Sequence, residues 1–224
     1  MTGVQTCALP ISEIAGLKVD QVAIGSCTNS SLRDLSIVAK VIEGKTVSEK
    51  LHMTISAGSR QVVEHLIENG DMTHLVKAGS RMLENSCGPC IGMGTAPCSK
   101  GVSVRTFNRN FEGRSGTKDA TTYLVSPETA VATAITGVLT DPRTLGKCPK
   151  FEMPDKFSIN DNMIIKPLPL EKAKEVEVKF GPNIAPLQNF LALPDVLTGE
   201  VLIKLSDNIT TDDIMPAGAR ILPQ

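Results

Sequence analysis

Val19-Asp-Gln-Val-Ala-Ile24, then Gly25-Ser-Cys-Thr-Asn-Ser-Ser31, then Leu32-Arg-Asp-Leu-Ser-Ile-Val-Ala-Lys-Val-Ile42 form one continuous stretch of the sequence. Its first part is a short apolar run of strand length, and its middle is a cluster of turn-forming residues. The third part puts Leu32, Leu35, Val38 with Ala39, and Ile42 on one helical face, with Gly44 as a stop. A strand that feeds a helix through a polar turn is the unit from which parallel sheets are built.

The alternation continues outward. Leu51–Ile55 reads as a second strand, and Ser59 is placed to cap a helix over Gln61–Glu68 with Val62, Val63, Leu66 and Ile67 apolar. Met72–Ala78 reads as another short helix, Cys87–Cys98 as a Gly/Pro-rich loop, and Val102–Phe107 as a strand. Asn108–Thr117 is polar loop. Ser126-Pro127-Glu128 then opens a helix over Thr129–Leu139, with proline at its first position. The pattern predicts an α/β domain, a parallel sheet with helices on both faces. Its chemistry-bearing residues follow strands, at the carboxyl ends where such sheets place ligand sites.

After Asp141 the composition changes. Residues 141–195 carry many of the prolines and the mixed-charge run EKAKEVEVKF, which reads as an extended linker, and a new strand-and-turn unit opens near residue 196. At the other end, Met1–Ile11 (MTGVQTCALPI) has no basic or apolar region of a signal peptide. It resembles a translated sequencing-library adapter, so homologous sequence is expected to begin near Ser12 and Cys7 carries no meaning.

The 224 residues suffice for one sizeable core and part of a second unit, and 41% of them are hydrophobic. A formal net charge of −1 gives no electrostatic case for nucleic acid or an anionic membrane. No apolar run approaches the roughly 20 residues that span a bilayer. Six cysteines in a chain of this length are not a disulfide scaffold, and the Cys87-x-x-Cys90 pair points to metal or redox chemistry in a reducing compartment.

C-x-x-C alone is shared by zinc knuckles and thioredoxin-like motifs. Here Cys27 stands on one loop and Cys87 with Cys90 on another, amid glycines and a proline that let backbone wrap a bulky group. Iron–sulfur clusters are usually held by four thiolates. A set of three leaves one iron open to act as a Lewis acid on a hydroxy acid.

Gly25-Ser-Cys-Thr-Asn-Ser-Ser31, Asn85-Ser-Cys-Gly-Pro-Cys-Ile-Gly92 and Asn108-Arg-Asn-Phe-Glu-Gly-Arg114 resemble three successive signatures of the aconitase superfamily, in its order and at about its spacing. The resemblance runs from about Val19 to the C-terminus. It implies a three-layer parallel-sheet aconitase-type domain over residues 12–140, a linker over 141–195 and the beginning of a swivel domain over 196–224. It further implies Cys27, Cys87 and Cys90 as ligands of a [4Fe–4S] cluster, with Arg109 and Arg114 binding substrate carboxylates. Guanidinium suits that role, being planar, permanently charged and bidentate toward carboxylate. Asn108 and Asn110 are candidates to orient cluster or substrate, and Asn29 to support a ligand. The tail, Asp207-Asn-Ile-Thr-Thr-Asp-Asp-Ile-Met-Pro-Ala-Gly218, resembles the opening of the family's swivel domain, which maps Asp212 to the active-site cleft. Asp213 stands where the family often has histidine, and Arg220 lies too close to Asp212 to match the family's arginine.

The implied activity is aconitate hydratase, interconverting citrate and isocitrate through cis-aconitate, in a monomeric parent of the cytoplasm or mitochondrial matrix acting on a small tricarboxylate. The linker running into a swivel start favours a single-chain aconitase. The alternatives are a homoaconitase, a 3-isopropylmalate dehydratase-like hydro-lyase, and an RNA-binding relative that has lost its cluster. The family's base is a serine of the later swivel domain, absent here, so this chain by itself is expected to lack hydratase activity. The competing readings of single residues are bland: Cys98 and Cys148 as incidental thiols, and His52, His65 and His74 as packed or surface side chains rather than the fourth ligand of a zinc site.

Overall fold

The computed structural model describes residues 9–215 and 217, apart from the side chain of Asp212. Five strands form one sheet: β1 (Gln21–Gly25), β2 (His52–Ser56), β3 (Arg81–Met82), β4 (Val102–Arg105) and β5 (Thr121–Leu124). All pairings are parallel, in the order β3-β2-β1-β4-β5. The helices of this unit are α1 (Ile11–Ile14), α2 (Leu32–Ile42), α3 (Arg60–Glu68), α4 (Asp71–Lys77) and α5 (Pro127–Thr136). The chain is an α/β protein with an all-parallel sheet.

Alternation along the strands makes two different faces. Val22, Ile24, Met53, Ile55 and Val104 point one way into the main core, each at most 1% exposed. Leu35, Val38, Ala39 and Ile42 of α2 meet them there, with Leu66 of α3, Leu75 of α4, and Ala130, Val131 and Ala134 of α5. Gln21, Thr54, Ser56, Ser103 and Arg105 occupy the alternate positions and are buried too. This second face is polar, and the loop 83–101 with its single 3₁₀ turn, Gly88–Ile91, lies over it.

Local chemistry places the helix ends. Ser31 caps α2 by accepting from the Asp34 backbone N–H, and Asp34 returns the contact, a capping box. Ser59 accepts from the Val62 N–H, and Ser126 from the Thr129 N–H with Pro127 next in line. The fourth predicted helix therefore starts at Pro127 and stops at Gly137, whose φ is +77°, rather than running over 129–139. β3 and β5 were not legible. β3 is two residues long, and β5 follows polar loop as an edge strand with no buried residue.

Contacts divide the chain into two units, residues 160–210 being the second. That segment holds one helical turn, α6 (Leu170–Ala173), and leaves Ile165, Leu187, Leu191 and Leu202 exposed. Residues 142–159 stay with the first unit. Phe151 packs on its core, Phe157 meets the His65 ring edge-on at 5.3 Å, and Gln61 Nε2 donates to the Ser158 carbonyl at 2.7 Å. A further helical turn, α7 (Thr211–Ile214), lies near the end of the described chain. Among the described residues no helix is long and apolar enough to cross a membrane.

One glycine shows how tightly the sheet edge of the site is drawn. Gly25 has φ +119°, and a Cβ there would stand 1.8 Å from the Ser56 carbonyl oxygen. Gly25→Ala is expected to lower stability by at least about 2 kcal/mol, from backbone strain together with the clash. Gly44→Ala, at φ +70° with open space around it, should cost only the left-handed penalty of about 1–2 kcal/mol. Urea midpoints of the two variants compare them.

Candidate metal centre

The strand order reverses between β1 and β4: from β1 the chain steps outward to β2 and β3, then returns to β4 on β1's other side. At such a switch the loops leaving the carboxyl ends diverge and open a crevice. β1 delivers Gly25-Ser26-Cys27 to it and β4 delivers Thr106 to Arg114. The loop after β3 crosses the polar face and brings Cys87 and Cys90 to the same place.

Hydrogen bonds tie these loops together. Asn29 Nδ2 donates to the Thr106 carbonyl at 2.6 Å, and the Gly25 N–H donates to the Thr106 hydroxyl at 2.9 Å. Ser26, at φ +62°, turns its hydroxyl to within 3.3 Å of the Cys90 sulfur. Cys90 Sγ in turn approaches Asn108 Oδ1 at 3.9 Å, a weak contact. Gly92 presses on the arginine loop so closely that a Cβ there would lie 2.2 Å from the Ser115 carbonyl oxygen. All three sequence motifs therefore meet.

The three thiols are not equivalent. Cys90 is buried with Ala23 and Phe107, whereas Cys27 and Cys87 are exposed. The Thr28 hydroxyl, assisted by Ser26 and Cys87, holds the Cys27 thiol below its ordinary pKa. Burial first, then the negative charge of Cys90 and Cys27, pushes the Cys87 thiol up.

Among the described residues no three His, Cys, Asp or Glu side chains close around one point as a single metal ion requires. A cluster asks for something else. It distributes its thiolates over separate irons, so the ligands ring a volume instead of a point. A mixed set of two exposed thiols and one buried thiol, drawn from two loops, fits that group. His65 packs on Phe157, and His74 pairs with Glu43 at 3.7 Å.

The candidate substrate ligands lie on the adjoining loop. Arg109 is exposed and donates from Nη1 to the Asn108 carbonyl at 3.0 Å. Arg114 is half-buried, its guanidinium 5.6 Å from the centre of the Phe111 ring. Asn108 contacts both Arg109 and Cys90, and Asn110 is exposed. The side chain of Asp212 lies outside the described residues.

The sequence reading missed a residue beneath the site. Arg105 is fully buried. It donates to Ser103 Oγ, the Pro89 carbonyl, Gln21 Oε1 and the Thr95 carbonyl at 2.7–2.9 Å. Burial pulls its pKa down to about 10, which leaves it charged near neutral pH. The signal was present as polar residues on alternate positions, Gln21 in β1 and Ser103 with Arg105 in β4. Central parallel strands are ordinarily apolar throughout.

The aconitase family (aconitate hydratase) has a sequence profile that matches residues 5–137, more than half of the chain. This chain belongs to the aconitase family. A mitochondrial homoaconitase of Cryptococcus neoformans is 36% identical over 212 residues, 93% of this chain and 28% of its own length. A probable methanogen homoaconitase large subunit of Methanosarcina mazei is 46% identical over 137 residues, 61% of this chain and 34% of its own. The 3-isopropylmalate dehydratase large subunit 1 of Methanopyrus kandleri is 40% identical over 136 residues, 60% and 32%. The chain thus spans about a third or less of the length of these relatives.

The thiol environments give a direct check on the iron-free chain. Alkylation followed by peptide mass spectrometry should find Cys27 and Cys87 labelled and Cys90 protected at least about tenfold until the protein is unfolded. Because the Cys27 pKa is lowered and that of Cys87 raised, Cys27 labelling should rise at lower pH than Cys87 labelling. Coincident pH profiles would contradict these environments.

Proposed function

We propose that this chain is the cluster-bearing part of a hydro-lyase that moves water across a hydroxy polycarboxylic acid, with Cys27, Cys87 and Cys90 holding a [4Fe–4S] cluster. The supporting observation is the meeting of three loops at the carboxyl ends of β1 and β4, where Ser26 contacts Cys90, Cys90 approaches Asn108, and Gly92 rests on Ser115, next to Arg114. When bound, the cluster supplies an iron without a protein sulfur, a Lewis acid for a departing hydroxyl.

The chain's own part is binding and orientation. Arg109, at the solvent side, and Arg114, held against Phe111, offer guanidinium forks for two carboxylates. Asn108 lies within reach of Cys90 and can orient whatever occupies the crevice. Asn29 and Ser26 keep the Cys27 loop in place. Asp212 belongs to the cleft on the strength of its motif.

For the substrate, the relatives support homocitrate or a similar homologue more than citrate. The homoaconitase match extends over nearly the whole chain, including the segment after residue 141, whereas the large-subunit matches cover about 60% of it. Two of those relatives are named as large subunits, so a partner subunit is a second possibility beside a single continuous chain. The fungal homoaconitase is named as mitochondrial, which agrees with a matrix location if the source is eukaryotic.

Anaerobic reconstitution with iron and sulfide tests the reading. Oxidation should then yield a [3Fe–4S] EPR signal, and after reactivation homocitrate should perturb the spectrum more strongly than 3-isopropylmalate. Arg109→Lys and Arg114→Lys should each weaken that perturbation about tenfold, the loss of one charge-assisted hydrogen bond. An all-cysteine cluster indifferent to all three acids, citrate included, would overturn the proposal.

A further inference from the structure

Arg105 carries a positive charge in the dry layer between the sheet and the cysteine loop. Its Nη1 donates to the Pro89 carbonyl at 2.8 Å, next to Cys90, and its Nη2 donates to the Thr95 carbonyl at 2.7 Å, at the far end of the same loop. From below, Ser103 Oγ and Gln21 Oε1 accept at 2.9 and 2.8 Å. Phe107 lies 5.3 Å from the guanidinium carbon and packs with Cys90 and Ala23. Every one of these acceptors is neutral, and among the described residues no carboxylate pairs with Arg105. A buried charge without a counter-charge is costly, and Cys90 stands next to it, following Pro89 in the chain and packing on the same Phe107 ring.

We infer that Arg105 is the positioning residue of the cluster loop: its fork clamps Pro89 and Thr95 onto the sheet, and its charge offsets that of the anionic cluster held through Cys90. The inference rests on the cluster reading proposed above. It assigns the unusual polarity of the second sheet face a purpose, since Gln21, Ser103 and Thr95 are what a buried guanidinium needs to stay hydrogen-bonded.

Arg105→Met and Arg105→Lys separate clamp from charge. In the reconstituted chain, Arg105→Met should move the cluster's reduction potential, followed by EPR-monitored titration, to a more negative value, because a nearby positive charge favours the reduced state. Arg105→Lys should hold a potential close to the parent's yet release iron to a chelator about tenfold faster, because ammonium cannot reproduce the fork. In the iron-free chain both should speed amide exchange over residues 90–95. If Arg105→Met does not fold by circular dichroism, the lysine variant decides. An unchanged release rate with unchanged exchange overturns the clamp, and an unmoved potential in a folded methionine variant overturns the charge effect. A parent chain that takes up no cluster would instead sink the proposed function, while the exchange measurement would still judge the clamp.

Discussion

β1 and β4 run side by side in register, Gln21 beside Ser103 and Ala23 beside Arg105, although 82 residues separate the first pair. The site is a consequence of that contact. It makes β1 a central strand, creates the reversal of strand order, and puts the ends of two distant motifs at adjacent points of one sheet edge. The Asn29 and Gly25 bonds to Thr106 exist only because the two strand ends are neighbours. A pairing so distant in sequence closes a long loop, whose entropy the apolar face against α2 and α5 must offset.

The sheet works differently on its two faces. One is an ordinary apolar layer that supplies stability, with Val22, Ile24, Ile55 and Val104 essentially without solvent exposure. The other is a buried polar network of Gln21, Thr54, Ser103, Arg105 and Thr95 that specifies how a loop with few apolar side chains lies on the sheet. Apolar packing alone is weakly directional. Hydrogen bonds to the Pro89 and Thr95 carbonyls fix the position of this loop where apolar burial would not.

The backbone is arranged around close approaches. Gly25 lets β1 leave the sheet against Ser56, and Gly92 lets the cysteine loop rest on Ser115, each where a methyl group would overlap a carbonyl oxygen. Rigid approaches of this kind hold Cys90 inside while Cys27 and Cys87 face outward, giving a centre with a protein wall on one side and room on the other.

The sequence by itself determined the local elements α2, α3, α4 and α5 with β1, β2 and β4, because each signal lies within a few residues of its element. It also carried the family resemblance in the three motifs around Cys27, Cys87 and Arg109, since these are short runs read without knowledge of their neighbours. Only the tertiary structure decided the rest. β3 and β5 exist because a sheet edge recruits them, their own four or fewer residues lacking any period to read. The loop over the second sheet face, and the choice of Cys90 as the buried thiol, follow from strand order. Arg105 carries no local sign of its burial; the pairing of β1 with β4 encloses it. Burial and convergence are properties of residues far apart in the chain, and no local pattern encodes which distant residue will supply the wall.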